Sequence, residues 1–221
     1  FLGGGTDFED FYQEYGGAVI STAIDKFTQV FIKERYDDKI YINYSEKEIV
    51  DKVEEIQHEL VREAMKLTEV NKGVEISTFV DVREGSGLGS SSSIIVGLLQ
   101  ALYAYKGEFK DAETLAEQAC RIEIDIVGKP IGRQDQYIVA YGNLRFITFN
   151  KDGIRVEKVP LSKEAKRRLN ERLVLFFTNR TRKAEGILTE QKDNISEHIE
   201  ILNELKRLAF QGRDALLQEA F

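Results

Sequence analysis

Cysteine is nearly absent from this chain of 221 residues, with Cys120 as the single example. One thiol excludes an internal disulfide framework and suits a reducing compartment, so we expect a cytoplasmic protein. Cys120 lies within an apolar helical pattern, and we therefore predict a buried structural thiol rather than a nucleophile.

Long apolar runs and an excess of positive charge are also missing. The sequence contains no span of eighteen apolar residues and no recognisable signal peptide, so membrane insertion and secretion have no support. The formal net charge of −7 disfavours nucleic acid and anionic membrane as partners. Any phosphate ligand must then be held locally, by backbone amides, a few basic side chains and a metal ion.

What the chain does contain is a glycine- and serine-rich segment between a predicted strand and a predicted helix. Apolar and polar residues alternate over 74–82, as in a half-buried strand, and an apolar helix is predicted from Ser91 to about Tyr105. The first N–H groups of a helix have no intrahelical partner and lie at the positive end of its dipole, so they favour an anion. The predicted phosphate-binding residues are Gly85, Ser86, Gly87, Leu88, Gly89, Ser90, Ser91 and Ser92.

Two other interpretations of this segment are a flexible linker and a purely structural tight turn. Leu88 and the long apolar run that follows it argue against a linker. The segment is not a Walker A loop, because Ser90 follows Gly89 where that motif requires lysine. It also lacks the G-x-G-x-x-G spacing of a dinucleotide-binding turn.

The rest of the chain reads as a mixture of strands and helices. Apolar residues spaced by three and four predict one helix over 46–70, and a second helix is predicted over 111–125. Strands are expected within 18–33 and at 40–44, 144–150, 154–159 and 173–178, with helices continuing to the end of the chain. We place a domain boundary between residues 160 and 172.

Phosphoryl transfer needs a phosphate cradle, magnesium ligands and a group that positions or deprotonates the acceptor hydroxyl. Ser90 or Ser91 offers a hydroxyl where the loop meets the helix, and Glu123 offers a carboxylate for the metal. Asp135, at the start of a predicted helix, is the candidate for accepting the proton. The alternatives are an ordinary helix N-cap for Asp135 and a solvated helix face for Glu123.

Four segments in the same order resemble those of the galactokinase, homoserine kinase, mevalonate kinase and phosphomevalonate kinase (GHMP) superfamily. The similarity is greatest to its D-glycero-D-manno-heptose 7-phosphate kinase group. The matching segments are the glycine–serine run 85–93, the opening Gly-Gly-Gly-Thr-Asp of residues 3–7 with Tyr-Gly-Gly at 15–17, Gln-Asp-Gln-Tyr at 134–137, and residues 177–182.

This resemblance implies a two-domain α+β fold, with a nearly complete amino-terminal ATP- and sugar-binding domain at 1–165 and a partial carboxy-terminal domain at 166–221. It also implies ATP and Mg²⁺ as cofactors, with Ser91 and Glu123 as metal ligands and Asp135 as the catalytic carboxylate. The substrate would be a sugar phosphate that is phosphorylated at its anomeric hydroxyl. The residues implied to bind it are Gly4, Gly5, Thr6, Asp7 and Arg182.

The sequence departs from the family pattern at the entry to the loop, where Arg83 and Glu84 replace the usual proline. The family's leading arginine and its third glycine-rich motif are not found, so we expect that the chain is truncated at both ends. Kinases for galactose or fucose, and a GHMP-like binding protein that has lost catalysis, remain alternatives. A homodimer stays open, because the sequence does not fix the oligomeric state.

Overall fold

The computed structural model describes residues 1–82, 86–176 and 194–220. The described chain forms two compact units. One, which we call the loop unit, comprises Asp25–Lys129 and Asp135–Ala140. The other, the terminal unit, comprises Phe1–Ile24, Pro130–Gln134 and Tyr141–Phe221, apart from the residues that are not described.

The loop unit is built on a four-stranded sheet with the strand order β2-β5-β3-β4. β5 pairs antiparallel with β2 and parallel with β3, and β3 pairs antiparallel with β4. The strands are β2 (Thr28–Glu34), β3 (Ile40–Asn43), β4 (Lys47–Val50) and β5 (Val74–Val80). The helices are α2 (Glu59–Thr68), α3 (Ser90–Tyr105), α4 (Ala112–Cys120) and all but the end residues of α5 (Gln134–Tyr141). A 3₁₀ turn forms at Val53–Glu55 and a π-helical turn at Arg121–Ile126.

Apolar side chains from this sheet and from α2, α3 and α4 form one continuous core. Ile42 and Ile76, which are register partners on β3 and β5, are fully buried, as are Met65 on α2 and Leu98 on α3. Apolar side chains cover most of the surface of helix α3, so the helix is buried in the core. The first turn of α3, which follows Gly89, is therefore attached to a helix that is anchored in the core.

The terminal unit contains a three-stranded antiparallel sheet with the order β1-β6-β7. Its strands are β1 (Gly17–Thr22), β6 (Leu144–Asn150) and β7 (Gly153–Lys158), and its helices are α1 (Glu9–Tyr15), α6 (Lys163–Arg172) and α7 (Ile199–Leu217), with a 3₁₀ turn at Ile195–Glu197. Ala209 on α7 packs with Ile20 and Phe146 of the sheet. The domain boundary at residue 165 stays a prediction about the family fold.

Most elements agree with the sequence analysis, and Cys120 is a buried free thiol as predicted. The single helix predicted over 46–70 is wrong, because this segment forms β4, the 3₁₀ turn and α2 in succession. The Glu48 carboxylate on β4 accepts hydrogen bonds from the Gln57 and His58 N–H groups at 2.6 and 3.0 Å. These contacts tie β4 to the residues immediately before α2. Residues 173–176, the described part of the predicted strand 173–178, are not in a strand.

Within the described residues, no helix combines the length and apolar character that a bilayer span requires.

Candidate active site

The glycine- and serine-rich segment that begins at Gly85, here called the glycine loop, leads into α3 through two residues in the left-handed backbone region. Gly87 has a φ of 74° and Gly89, the N-cap of α3, has a φ of 68°. Only glycine adopts this conformation without steric cost, so these two positions set the path of the loop. Gly85, also predicted to contact phosphate, lies outside the described residues, as do Arg83 and Glu84.

The start of α3 leaves hydrogen-bond donors for a ligand. No side chain caps the helix, because its N-cap is a glycine. Ser93 Oγ donates back to the Gly89 carbonyl at 2.9 Å and so does not serve as a cap. Within the described chain, Ser86 Oγ is buried without a hydrogen-bond partner. Uncapped first-turn amides beside a buried hydroxyl are suited to binding a phosphate group.

Glu123 lies at the centre of the polar network beside this loop and is fully buried. Its Oε1 accepts a hydrogen bond from Ser91 Oγ, while its Oε2 accepts hydrogen bonds from Ser92 Oγ and Gln136 Nε2, both at 2.7 Å. A buried carboxylate is stable only when such partners replace its hydration. The alternative interpretation of Glu123 as a solvated helix face is therefore wrong.

Lys129 completes this network with a positive charge. Its Nζ donates to Ser91 Oγ and lies 3.3 Å from Glu123 Oε1. Lys129 was not among the residues predicted from the sequence. The signal that was available is its position between Glu123 and Asp135, the two carboxylates that the resemblance singled out.

A change of helical pitch places Glu123 in this network. Helix α4 continues as the π-helical turn Arg121–Ile126, which buries Glu123 and leaves Asp125 exposed. Such turns are frequent at functional sites. The Lys129 N–H then donates to the Glu123 carbonyl at 2.9 Å, so the backbone of the following loop is tied to the same residue.

Gln136 is a second member of the network whose role the sequence analysis did not identify. Its side chain is fully buried and its Nε2 donates to Glu123, but its Oε1 has no hydrogen-bond partner within the described chain. A buried, unpaired amide oxygen is costly, so it marks a position where a donor from water or a ligand is needed.

Asp135 is in the first turn of α5 and lies beside the loop. A Cβ atom added to Gly89 would lie 3.3 Å from Asp135 Cγ and 3.5 Å from each carboxylate oxygen. The loop unit thus brings together the two carboxylates and the serines that the sequence analysis placed in the phosphoryl-transfer site.

The predicted sugar-binding residues at the start of the chain form hydrogen bonds within the terminal unit. The Asp7 carboxylate accepts hydrogen bonds at 3.0 Å from the N–H groups of both Gly5 and Gln134. Glycine is required at position 132, because a Cβ there would overlap the Asp7 carboxylate. Burial raises the pKa of Asp7 above its ordinary value, although the backbone hydrogen bonds oppose this shift.

Thr6 and Gly4 complete this part of the predicted site. Thr6 is buried, and its Oγ1 donates to the carbonyls of Gly3 and Ala18 at 2.8 and 3.1 Å. Gly4 is the exposed member of the opening motif, near the Gln134 side chain. Arg182, the predicted phosphate clamp, lies outside the described residues.

The donor set fits a magnesium ion that arrives with a nucleotide. Among the described residues, no three His, Cys, Asp or Glu side chains gather as a complete metal cage. Magnesium in nucleotide sites is held by one or two carboxylates together with substrate phosphates and waters. Ser91 Oγ and Glu123 Oε1 are such a partial set, and the Lys129 ammonium on these same oxygens shows that the position accepts a cation.

Comparison with known proteins identifies the family. The model of the GHMP kinase N-terminal domain matches residues 45–143. A D-glycero-α-D-manno-heptose 7-phosphate kinase of Campylobacter jejuni is 30% identical over 99% of this chain and 69% of its own length. The chain belongs to the GHMP kinase family. As a GHMP kinase it is a phosphotransferase with an alcohol group as acceptor.

Other GHMP kinases show how far the similarity extends. A galactokinase of Pyrococcus furiosus is 26% identical over 84% of this chain and 54% of its own length. The crystal structure of a D-glycero-D-manno-heptose 1-phosphate kinase from Bacteroides thetaiotaomicron superposes with a TM-score of 0.86, at 23% identity, over 99% of this chain and 70% of that one. The two-domain α+β GHMP kinase fold predicted from the sequence is confirmed.

Proposed function

We propose that this protein transfers the γ-phosphoryl group of ATP, in the presence of Mg²⁺, to the anomeric hydroxyl of D-glycero-D-manno-heptose 7-phosphate. The Campylobacter relative, which is similar over nearly the whole of this chain, supports the choice of sugar. The observation that carries the proposal is the position of the Asp135 carboxylate beside Gly89, at the start of α3. There, an anion-binding helix terminus and a proton acceptor lie side by side.

In this proposal the loop and the first turn of α3 hold the triphosphate. The uncapped amide groups of the helix donate to phosphate oxygens, and Ser86 Oγ supplies one further donor. Ser91 and Glu123 would hold the magnesium ion. The ion supplies positive charge to the β- and γ-phosphate oxygens when it is bound.

Asp135 acts on the acceptor hydroxyl. The hydroxyl oxygen of the sugar forms a bond to the γ-phosphorus, the bond from that phosphorus to the β–γ bridging oxygen breaks, and the hydroxyl proton passes to the Asp135 carboxylate. Because the transition state of phosphoryl transfer is loose, the position of Asp135 contributes more than its basicity.

The residues proposed for the sugar are those of the opening motif, Gly4, Gly5, Thr6 and Asp7, with Arg182 for its phosphate. The Asp7 carboxylate, which the Gly5 and Gln134 N–H groups hold in place, would accept hydrogen bonds from sugar hydroxyls. An arginine presents a planar fork of donors that matches a phosphate group. We further propose a cytoplasmic location, in keeping with the single buried cysteine.

Measurement of ADP release tests this function. The protein, with any flanking sequence that its gene encodes, is supplied with Mg·ATP and one of four sugars: heptose 7-phosphate, heptose 1-phosphate, galactose or fucose. We expect the largest kcat/KM with heptose 7-phosphate and a product phosphorylated at C1. Preference for galactose or fucose would overturn the choice of sugar. Nucleotide binding without turnover on any of the four would favour a binding protein that has lost catalysis.

A further inference from the structure

The glycine loop has no lysine of its own, but the fold brings one to it. Lys129 is 38 residues from Ser91 in the chain, and its Nζ donates to the Ser91 hydroxyl in the first turn of α3. In the Walker A loop, a lysine that belongs to the motif reaches the β- and γ-phosphates. Lys129 therefore lies where a phosphate-binding lysine is needed, although it comes from a different part of the sequence.

The backbone of Lys129 is held in place while its side chain remains partly exposed. Gly128, with a φ of 78°, precedes it, Pro130 follows it, and its N–H donates to the Glu123 carbonyl. The Lys129 side chain is 20% exposed, whereas that of Glu123 is 0% exposed. Lys129 thus connects the buried carboxylate with the partly exposed part of the network.

Lys129 and a metal ion would compete for the same two oxygens. Ser91 Oγ and Glu123 Oε1, the proposed magnesium ligands, are the atoms that Lys129 Nζ contacts. An ammonium and a divalent ion at neighbouring positions repel each other strongly where the surroundings are partly buried. When the metal–nucleotide binds, Lys129 must leave these oxygens, and the nearest new anion is the phosphate chain at the start of α3.

We propose that Lys129 is a phosphate-positioning residue with two states. Without nucleotide, it occupies the cation position and neutralises buried Glu123. With the metal–nucleotide, it gives up Ser91 and Glu123 and donates to the β- or γ-phosphate. This inference rests on the proposed function, because it requires that the loop binds a nucleoside triphosphate.

Binding measurements with Lys129→Gln test the two states separately. Glutamine keeps a donor for Ser91 and Glu123 but carries no charge. Calorimetry should show that Mg·AMP-PNP binds the variant about tenfold more weakly, as expected on loss of a charge-assisted hydrogen bond, while AMP, which has no β- or γ-phosphate, binds with unchanged affinity. Paramagnetic resonance should show that Mn²⁺ alone binds the nucleotide-free variant about tenfold more tightly than the wild type, because the competing ammonium is gone.

A matched control and a rescue complete the experiment. Lys106→Gln removes a lysine that pairs with Glu108, away from the network, and should leave all three affinities unchanged. Lys129→Cys followed by aminoethylation restores an ammonium group at the same position, and Cys120 is protected because it is buried. The treated protein should recover wild-type affinity for Mg·AMP-PNP and should again bind Mn²⁺ weakly.

The outcomes separate this inference from the proposed function. Failure of the wild-type protein to bind Mg·AMP-PNP would overturn the proposed function. If the wild type binds Mg·AMP-PNP and Lys129→Gln shows unchanged affinities, the role of Lys129 alone is overturned. If Lys129→Gln does not fold, the unmodified Lys129→Cys protein gives the same test. A loss of affinity for AMP as large as that for Mg·AMP-PNP would also overturn it, because the effect would not be specific to the phosphates.

Discussion

The Asp135 carboxylate faces the backbone of Gly89 so closely that a methyl group at Gly89 would lie 3.3 Å from Asp135 Cγ. This relationship couples the end of the phosphate-binding loop to the proposed catalytic carboxylate. Gly89 is required both for its positive φ and for the space that it leaves. These two requirements can be separated experimentally.

We expect Gly89→Ala to lower both stability and turnover. An alanine in the left-handed region costs about 1–2 kcal/mol. Its Cβ would require Asp135 to shift by a few tenths of an ångström. Gly107→Ala is a matched control, because Gly107 has a φ of 77° and no atom within 4 Å of an added Cβ. Denaturant unfolding should show similar losses for both variants. Steady-state kinetics should show a reduced kcat for Gly89→Ala only, and equal kcat values would contradict the coupling.

Asp135→Asn should preserve ATP binding and reduce turnover. The amide is close in size to the carboxylate but cannot accept the hydroxyl proton, so we expect kcat to fall by about 10²–10⁴-fold. Asp152→Asn, in the exposed turn between β6 and β7, serves as the control and should behave as the wild type. Calorimetry with AMP-PNP and measurement of ADP release distinguish binding from catalysis. Unchanged turnover would remove Asp135 from the mechanism.

Ser91 and Ser92 both donate to Glu123, but we expect their removal to have different effects. Ser92 is 2% exposed and approaches Glu123 Oε2 from the protein interior, whereas Ser91 lies on the side of Lys129. Ser92→Ala should lower the free energy of unfolding by about 1–3 kcal/mol, because Glu123 loses a buried partner. Ser91→Ala should instead raise the Mg²⁺ concentration required for half-maximal turnover.

Magnesium titrations of both serine variants at saturating ATP check this difference. If Ser92→Ala shifts the Mg²⁺ requirement as much as Ser91→Ala does, the proposed assignment of the metal ligand to Ser91 fails.

Local patterns were sufficient to predict the elements around the loop. Alternation over 74–82 identified β5, and the apolar run after Ser90 identified α3, because each pattern follows the period or the length of its element. The prediction over 46–70 failed because spacings of three and four also arise by chance across a strand, a turn and a short helix. The contact from Glu48 to the start of α2, which divides this segment, is not local.

The active-site network also depends on contacts that local sequence patterns do not reveal. Glu123 and Asp135 were identified because phosphoryl transfer requires carboxylates and the resemblance then gave them roles, and both lie beside the loop. Lys129 and Gln136 were not, because their importance depends on contacts with residues 38 and 13 positions away. The π-helical turn that buries Glu123 also has no recognised signature in the sequence.

The pH dependence of stability offers a test of the environment of Asp7. Burial raises the pKa of its carboxyl above the ordinary value of 3.8. Between this value and the folded-state pKa, the native protein binds more protons at Asp7 than the unfolded chain does. The stability that Asp7 contributes is therefore full below pH 3.8 and is lost as the pH rises through this window.

Asp7→Asn removes this titration, so the wild type should lose stability relative to the variant as the pH is raised above 3.8. Asp111→Asn is the control, because the pKa of Asp111 is shifted in the opposite direction: the hydrogen bond from the Thr114 N–H lowers it. The stability that Asp111 contributes is therefore already complete above its ordinary pKa. Denaturant unfolding at a series of pH values measures both differences. A flat difference for Asp7→Asn would show that burial does not raise the pKa of Asp7, whereas a flat difference is the expected result for Asp111→Asn.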